Sequence, residues 1–373
     1  MELSNSKSCY IWGTGFKAQQ MNQYYSEQLE KIKLIGYIDN DPSKWGDFFY
    51  GKRIYSPEVL KEDKEGYIII LNRFSNEIIS QIKENYPWYE GRIDSLFLER
   101  MKLMSRYKTC KEKEIQDIMD YLDHHPLQVF NYPFVEEYRN EDICVNYDEE
   151  KGLYYILYHD KKMYFSRSFQ DEEKVREYYK SICIEQDSNS PHRYLTDSFK
   201  VMDDAVVVDA GVAEGNFSLA IIEHVKKVYL FEPDQEWVEA LRYTFEPFKE
   251  KVVIINKCLS NYVDDKTTTI DEVLNGEKLN FIKMDIEGEE YYAIQGTRES
   301  IAASENIRCV ICTYHQEFAH DAIKGILEKL CFKTETSNGY MWYPTNSVTM
   351  SLPVLRRGVI RAIKEEIVES ESK

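Results

Sequence analysis

One stretch of this chain limits its fold more than any other. Val206, Val207 and Val208 run into Asp209; Gly211 and Gly215 bracket a Gly-x-x-x-Gly turn; a helical pattern starts near Asn216. An uninterrupted β-branched run is the mark of a strand buried on both faces, and a strand, glycine turn and helix in that order open a βαβ unit. The glycines let the turn tighten and let a ligand lie against bare backbone. The helix start offers unpaired N–H groups.

The turn departs from the Gly-x-Gly-x-x-Gly pattern that seats a pyrophosphate. An acid, Asp209, stands just before it, and a carboxylate there repels phosphate and suits a cation. S-adenosylmethionine, with its ammonium and sulfonium groups, meets that requirement. Val228-Tyr-Leu-Phe-Glu232-Pro-Asp234 supplies a second strand ending in an acid, where a carboxylate accepts hydrogen bonds from ribose hydroxyls.

Further strands are expected at 252–256, 280–285 and 308–313, with helices around 216–224, 235–247, 289–303 and 317–330. Short β pieces at 332–336 and 340–343 follow. The expected architecture is α/β: a doubly wound, Rossmann-like sheet of seven strands with an antiparallel end. Its fourth strand ends in Asp285-Ile-Glu287-Gly-Glu289-Glu290 and its fifth in Thr313-Tyr314-His315. Both ends fall on the edge where such folds build sites. Asp285 there orients a substrate, acts as a base, or holds a divalent cation such as Mg²⁺ with Glu287. Glu289 and Glu290 read as acids favouring a helix N-terminus. His315 is the candidate general base, its reference pKa lying near neutrality.

The N-terminal part is a smaller Rossmann-like α/β unit. Cys9–Trp12 is a strand, Gly13-Thr-Gly15 a turn, Leu34–Ile38 a strand ending at Asp39, and Tyr67–Leu71 another strand. The expected division is 1–100 for this unit and 101–189 for a helical and β-hairpin linker or cap. Residues 190–345 then form the catalytic domain, and 346–373 a C-terminal helix with an acidic tail. The basic stretch Arg356 to Lys364 reads as a solvated surface helix, with an amphipathic helix resting on anionic lipid as the alternative.

A formal net charge of −18 argues against nucleic acid as a partner. Eight scattered cysteines, no long apolar run and no signal-peptide pattern point to a cytoplasmic protein with free thiols. Cys309 and Cys312 lie on one strand facing opposite sides, which disfavours a redox or zinc pair. The 29 tyrosines and 17 phenylalanines argue against wholesale disorder.

Through Asp209-Ala-Gly-Val-Ala-Glu-Gly-Asn-Phe, Phe231-Glu-Pro-Asp, Thr269-Ile-Asp-Glu, Lys283-Met-Asp-Ile-Glu-Gly-Glu and Tyr314-His315 the sequence resembles the FkbM family of methyltransferases. The resemblance implies S-adenosylmethionine-dependent O-methylation of a sugar hydroxyl, in a glycan precursor or a natural product, free or nucleotide-linked. It implies cofactor contacts from Asp209, Gly211, Glu214, Gly215, Asn216, Phe217, Glu232 and Pro233. Asp285 and His315 would flank the acceptor, with His192, Arg193 and Tyr314 on the substrate side. The chain departs from the family at Glu289-Glu290, where a small residue is usual, and this leaves metal and metal-free chemistry both open. Two rival readings are a nicotinamide or nucleotide-sugar enzyme working through Gly13, Gly15 and Asp39, and a non-catalytic binding protein. Oligomeric state stays open, a homo-oligomer included.

Overall fold

The computed structural model describes residues 8–72, 74–89, 91–344 and 353–365. The described residues divide into two compact units, one within 8–132 with 353–354 and the other within 133–344 with 355–365.

In the first unit β1 (Ser8–Trp12) leads through the glycine turn into α1 (Phe16–Tyr24) and α2 (Ser26–Glu30), then β2 (Lys33–Ile38). The short β3 (Phe48–Phe49), β4 (Lys52–Tyr55), β5 (Tyr67–Ile70), α3 (Ser75–Asn85) and β6 (Ile93–Asp94) complete a sheet of order β3-β4-β2-β1-β5-β6. Every neighbouring pair is parallel except β3 with β4. The helices α4 (Phe97–Tyr107) and α5 (Lys113–Leu122) belong to this unit rather than to a linker. The reason is a buried charge: Arg100 on α4 lies 3.3 Å from Asp94 at the end of β6 and donates to the carbonyls of Leu122 and His125. Phe97, Leu98 and Met101 close one face of the sheet. The unit boundary thus falls at 132/133, not at residue 100.

The second unit begins with the antiparallel β7 (Asn146–Asp148), β8 (Leu153–Tyr158) and β9 (Lys161–Tyr164), followed by α6 (Glu172–Glu185). Its main elements are β10 (Val206–Ala210), α7 (Asn216–Ile221), β11 (Lys227–Phe231), α8 (Gln235–Thr244) and β12 (Val252–Ile255). A two-residue pair, β13 (Cys258–Leu259) with β14 (Thr267–Thr268), precedes α9 (Ile270–Leu274) and β15 (Phe281–Met284). Then come α10 (Glu290–Ala293), α11 (Arg298–Ala303), β16 (Ile307–Cys312), α12 (Ala319–Lys329) and β17 (Lys333–Thr336). A second small pair, β18 (Met341–Trp342) with β19 (Leu355–Arg356), and β20 (Val359–Lys364) finish the unit. The sheet order is β12-β11-β10-β15-β16-β20-β17. Strands β10, β11, β12, β15 and β16 are parallel, and β20 runs antiparallel between β16 and β17.

This is the expected seven-stranded sheet with an antiparallel end, but one strand comes from elsewhere in the sequence. Residues 340–343 do not join it; β20 does, from the stretch read as a surface helix. Val359, Ile360 and Ala362 are fully buried between two neighbours, so the strand has no polar face to show an alternating pattern. Its Arg361 is also buried, donating to the carbonyls of Arg193 and Tyr194. The acidic tail beyond 365 lies outside the described residues.

Aromatic packing fixes α6 and the hairpin onto α8. Tyr178 of α6 meets Trp237 of α8 at 5.8 Å between ring centroids, and Phe165 and Phe169 surround both. Residues 133–189 belong to the second unit, with the hairpin and α6 packed on α8, whereas 101–132 belong to the first.

Candidate active site

The turn after β10 is set by a close approach. Gly211 has φ +74°, and a Cβ there would lie 1.7 Å from the carbonyl oxygen of Asp285. No other residue fits where the loops after β10 and β15 touch. Gly215, at φ +85°, precedes α7 in a left-handed conformation. Between them Glu214 is buried and accepts from the Tyr178 hydroxyl at 2.9 Å. Burial pushes its carboxyl up to about 7. Glu232, at the end of β11, accepts from the backbone N–H groups of Ala213 and Asp234, each at 2.9 Å, which ties the second strand end to the turn.

A cavity of about 720 Å³ opens over this edge. Of the expected cofactor residues, Gly211, Glu214, Asn216, Glu232 and Pro233 line it; Asp209, Gly215 and Phe217 do not. Phe217 instead packs between Tyr194 and Phe281, and Gly215 backs onto Leu241 and Phe245.

Asp209 has a different role from the one its position suggested. It is fully buried, accepts from Ser218 Oγ at 2.7 Å, and lies 3.1 Å from Lys283 Nζ. Lys283 is the residue opposite it in the β10–β15 register. The ammonium also donates to the Gly211 carbonyl. Burial alone would lower the lysine's pKa, but Asp209 and Asp285 outweigh it and hold it above the ordinary value. The carboxylate expected to meet a cationic ligand is thus already neutralised from within the sheet. Lys283 and Tyr194 line the cavity and were not singled out from sequence. Only strand register, which sequence does not show, reveals the lysine's partner.

Asp285, which also lines the cavity, gathers several partners. The Tyr194 hydroxyl donates to one oxygen at 2.8 Å and the Tyr314 hydroxyl to the other at 3.1 Å. His192 Nε2 lies 3.4 Å away and His315 Nε2 3.5 Å away. Burial would raise this carboxyl's pKa, but His192, Lys283 and His315 hold it well below the usual carboxylate range. It is an anchored anion and a hydrogen-bond acceptor.

The histidines stand behind that anion rather than in the cavity wall. The His315 side chain is 3% exposed, with Nδ1 2.9 Å from Glu290 and Nε2 3.7 Å from Glu287. Burial opposes protonation of the ring, yet Glu290, Asp285 and Glu287 together raise its pKa. The ring is thus tied to three acids and does not line the cavity. Glu290 stands in the first turn of α10, as expected, and is buried there as the partner of His315, accepting from the Ile286 N–H. His192 is buried beside Asp285, Tyr314 and Cys312. Arg193 offers its carbonyl to Arg361 and does not line the cavity. Of the three expected substrate residues only Tyr314 reaches the wall.

The proposed cation pair Asp285 and Glu287 is not brought together as a ligand set. Among the described residues, the groups spaced for one ion are Asp285 with Glu290 and His315, and Asp285 with His192 and Cys312. Both include a nitrogen or sulfur donor, unlike the oxygen set that Mg²⁺ prefers. Glu287 is largely exposed and accepts from the Tyr343 hydroxyl at 3.1 Å. Cys309 and Cys312 are buried and burial raises both thiols, so neither is poised to react.

The first unit has its own cavity, about 290 Å³, at the carboxyl ends of β1, β2 and β5. Asp39 lines it but already holds Lys44 at 2.9 Å and the Thr14 hydroxyl; Gly13 and Gly15 are not among its walls.

The larger cavity fits S-adenosylmethionine by its charge. Its walls carry Glu185, Glu214, Glu232, Asp234, Asp285, Glu287 and Glu289 against Lys257 and Lys283, and Asp209 offsets the second lysine. Tyr178, Phe231 and Trp237 add apolar faces for a flat base.

Residues 5–92 match a family model described as C2185-like, N-terminal, and residues 256–340 match the methyltransferase FkbM domain. No curated protein matches the chain. Among solved structures it is similar to methyltransferase FkbM from Methylobacillus flagellatus KT, at 15% identity and TM-score 0.41, over 96% of this chain and 90% of that one. Magnesium protoporphyrin IX methyltransferase from Synechocystis PCC 6803, with bound S-adenosylmethionine, shares 14% identity over 53% of this chain and 88% of its own, at TM-score 0.32. Precorrin-6y C5,15-methyltransferase from Geobacter metallireducens GS-15 shares 13% over 45% and 82%, at TM-score 0.32. The FkbM match runs from just after β12 to just before β18 and contains Asp285, Glu290, Tyr314 and His315; this stretch of the chain is similar to a methyltransferase FkbM domain.

Proposed function

We propose that this enzyme transfers a methyl group to a hydroxyl of a sugar or glycan precursor. One observation carries the reading: a single cavity is lined by Gly211 and Glu232 and also by Asp285 and Tyr314. Methyl donor and acceptor can then meet over the same strand edge, and alignment of the two is most of what such a displacement needs.

When bound, S-adenosylmethionine supplies a methyl group already activated by the sulfonium. Glu232 accepts from the ribose hydroxyls, and the Gly211 backbone lets the ligand lie close. Asp285, held by two tyrosines, accepts a hydrogen bond from the acceptor hydroxyl and fixes its lone pair toward the methyl carbon. Its lowered pKa suits it to orient the hydroxyl and to take the proton only as the new O–C bond forms. The acidic lining disfavours an acceptor bearing phosphate or carboxylate next to the reacting hydroxyl.

The test is S-adenosylhomocysteine formation with a panel of sugars, glycans and nucleotide-sugars. Asp285→Asn is expected to lower turnover by about 10²-fold or more, the range of a positioned proton acceptor, while cofactor affinity stays within about threefold, well under 1 kcal/mol. Full turnover in Asp285→Asn would contradict this role.

A further inference from the structure

The correction at Asp209 leaves a question: which group receives the ammonium of the cofactor's methionine end? The acids of the cavity can be taken in turn. Asp209 belongs to Lys283 and Ser218. Asp285 belongs to two tyrosines and two histidines. Glu232 serves the N–H groups of Ala213 and Asp234, and Asp234 caps α8 through the Glu236 N–H. Glu214 holds Tyr178, and Glu287 holds Tyr343. Glu289 is exposed.

Glu185 remains. It ends α6, lines the cavity, is half-buried, and its carboxylate makes no hydrogen bond or ion pair among the described residues. Lys283 and Asp285 line the same cavity, and with His192 they are near enough to act on its charge. An acid without a partner in an enclosed site carries a desolvation cost that a bound cation relieves.

We propose that Glu185 is the cofactor-binding residue that pairs with the methionine ammonium of S-adenosylmethionine. The assignment rests on the methyltransferase reading and adds a contact from the cap rather than from the sheet. The cap helix would thus take part in holding the cofactor: Tyr178 about two turns earlier holds Glu214, and Glu185 at its end meets the amine.

Two ligands separate this contact from the rest of the pocket. S-adenosylhomocysteine carries the ammonium; 5′-methylthioadenosine keeps the nucleoside and sulfur but lacks it. Calorimetric titration of the full chain with both, on wild type and Glu185→Gln, reads the difference. A charge-assisted hydrogen bond to an ionised partner predicts a loss of about tenfold or more in S-adenosylhomocysteine affinity. Affinity for 5′-methylthioadenosine is expected to be unchanged, which also reports that the variant's pocket is intact. Glu185→Asp, which keeps the charge, is expected to lose less than Glu185→Gln. Unchanged S-adenosylhomocysteine affinity in Glu185→Gln, or equal loss of both ligands in a variant that melts like wild type, overturns the assignment. Failure of wild type to bind either ligand instead overturns the methyltransferase reading on which it rests.

Discussion

Lys283 and Asp209 face each other across β10 and β15 with Nζ 3.1 Å from Oδ1, both out of solvent. A buried pair of this kind is costly to break from one side, because the remaining charge has no partner. Lys283→Met is expected to destabilise the chain by about 3–5 kcal/mol, and Lys283→Met with Asp209→Asn by much less. Denaturant unfolding of the single and double variants checks this. Equal destabilisation would mean that the pair is not coupled.

Gly211→Ala places a methyl group onto the Asp285 carbonyl and forces a left-handed conformation on a residue with a Cβ. Strain of that conformation alone costs about 1–3 kcal/mol, and the clash adds to it. The expected result is a lower melting temperature together with loss of cofactor binding, read by thermal melts with and without S-adenosylhomocysteine. A variant that melts and binds like wild type would contradict the close approach seen here.

What sequence showed and what it hid divide along physical lines. The strand, glycine turn and helix at 206–221, the acid ending β11 and the acid after β15 are local patterns, and each fell at the expected strand edge. Partner choice is not local. Asp209 meets Lys283, and His315 meets Glu290, through strand register and loop packing that no spacing in the sequence encodes. β20 was hidden for another reason. Arg356 and Arg361 resemble the polar face of a helix, yet both guanidinium groups are buried on backbone carbonyls of Tyr314, His315, Arg193 and Tyr194.

Glu214 makes stability depend on pH. Burial raises its folded-state pKa to about 7 from the ordinary 4.5, so the folded state holds its proton more tightly than the unfolded chain. Stability from this group is fully present below about pH 4.5 and is lost as pH rises through about 7. Glu214→Gln, which keeps an acceptor for Tyr178, is expected to be more stable than wild type at pH 8 by up to about 3 kcal/mol, and nearly equal to it near pH 4.5. Unfolding midpoints across that range decide it; a difference that does not change with pH would exclude Glu214 as its source.

His315 titrates in the same sense, since its acids raise its folded-state pKa above the ordinary value. Its contribution is present below the unfolded pKa and is lost as pH rises through the folded one. His315→Gln should therefore cost more stability at pH 6 than at pH 9. If His315 were the general base instead, the variant would lose turnover without this pH-dependent loss of stability.

The central claim is that the cavity over β10, β11 and β15 holds S-adenosylmethionine. Calorimetric titration of the full chain with that cofactor tests it most directly. The account predicts one micromolar site per chain, abolished by Gly211→Ala and weakened by Glu185→Gln. A folded wild-type chain that gives no binding heat, with no shift in melting temperature at millimolar cofactor, would contradict it.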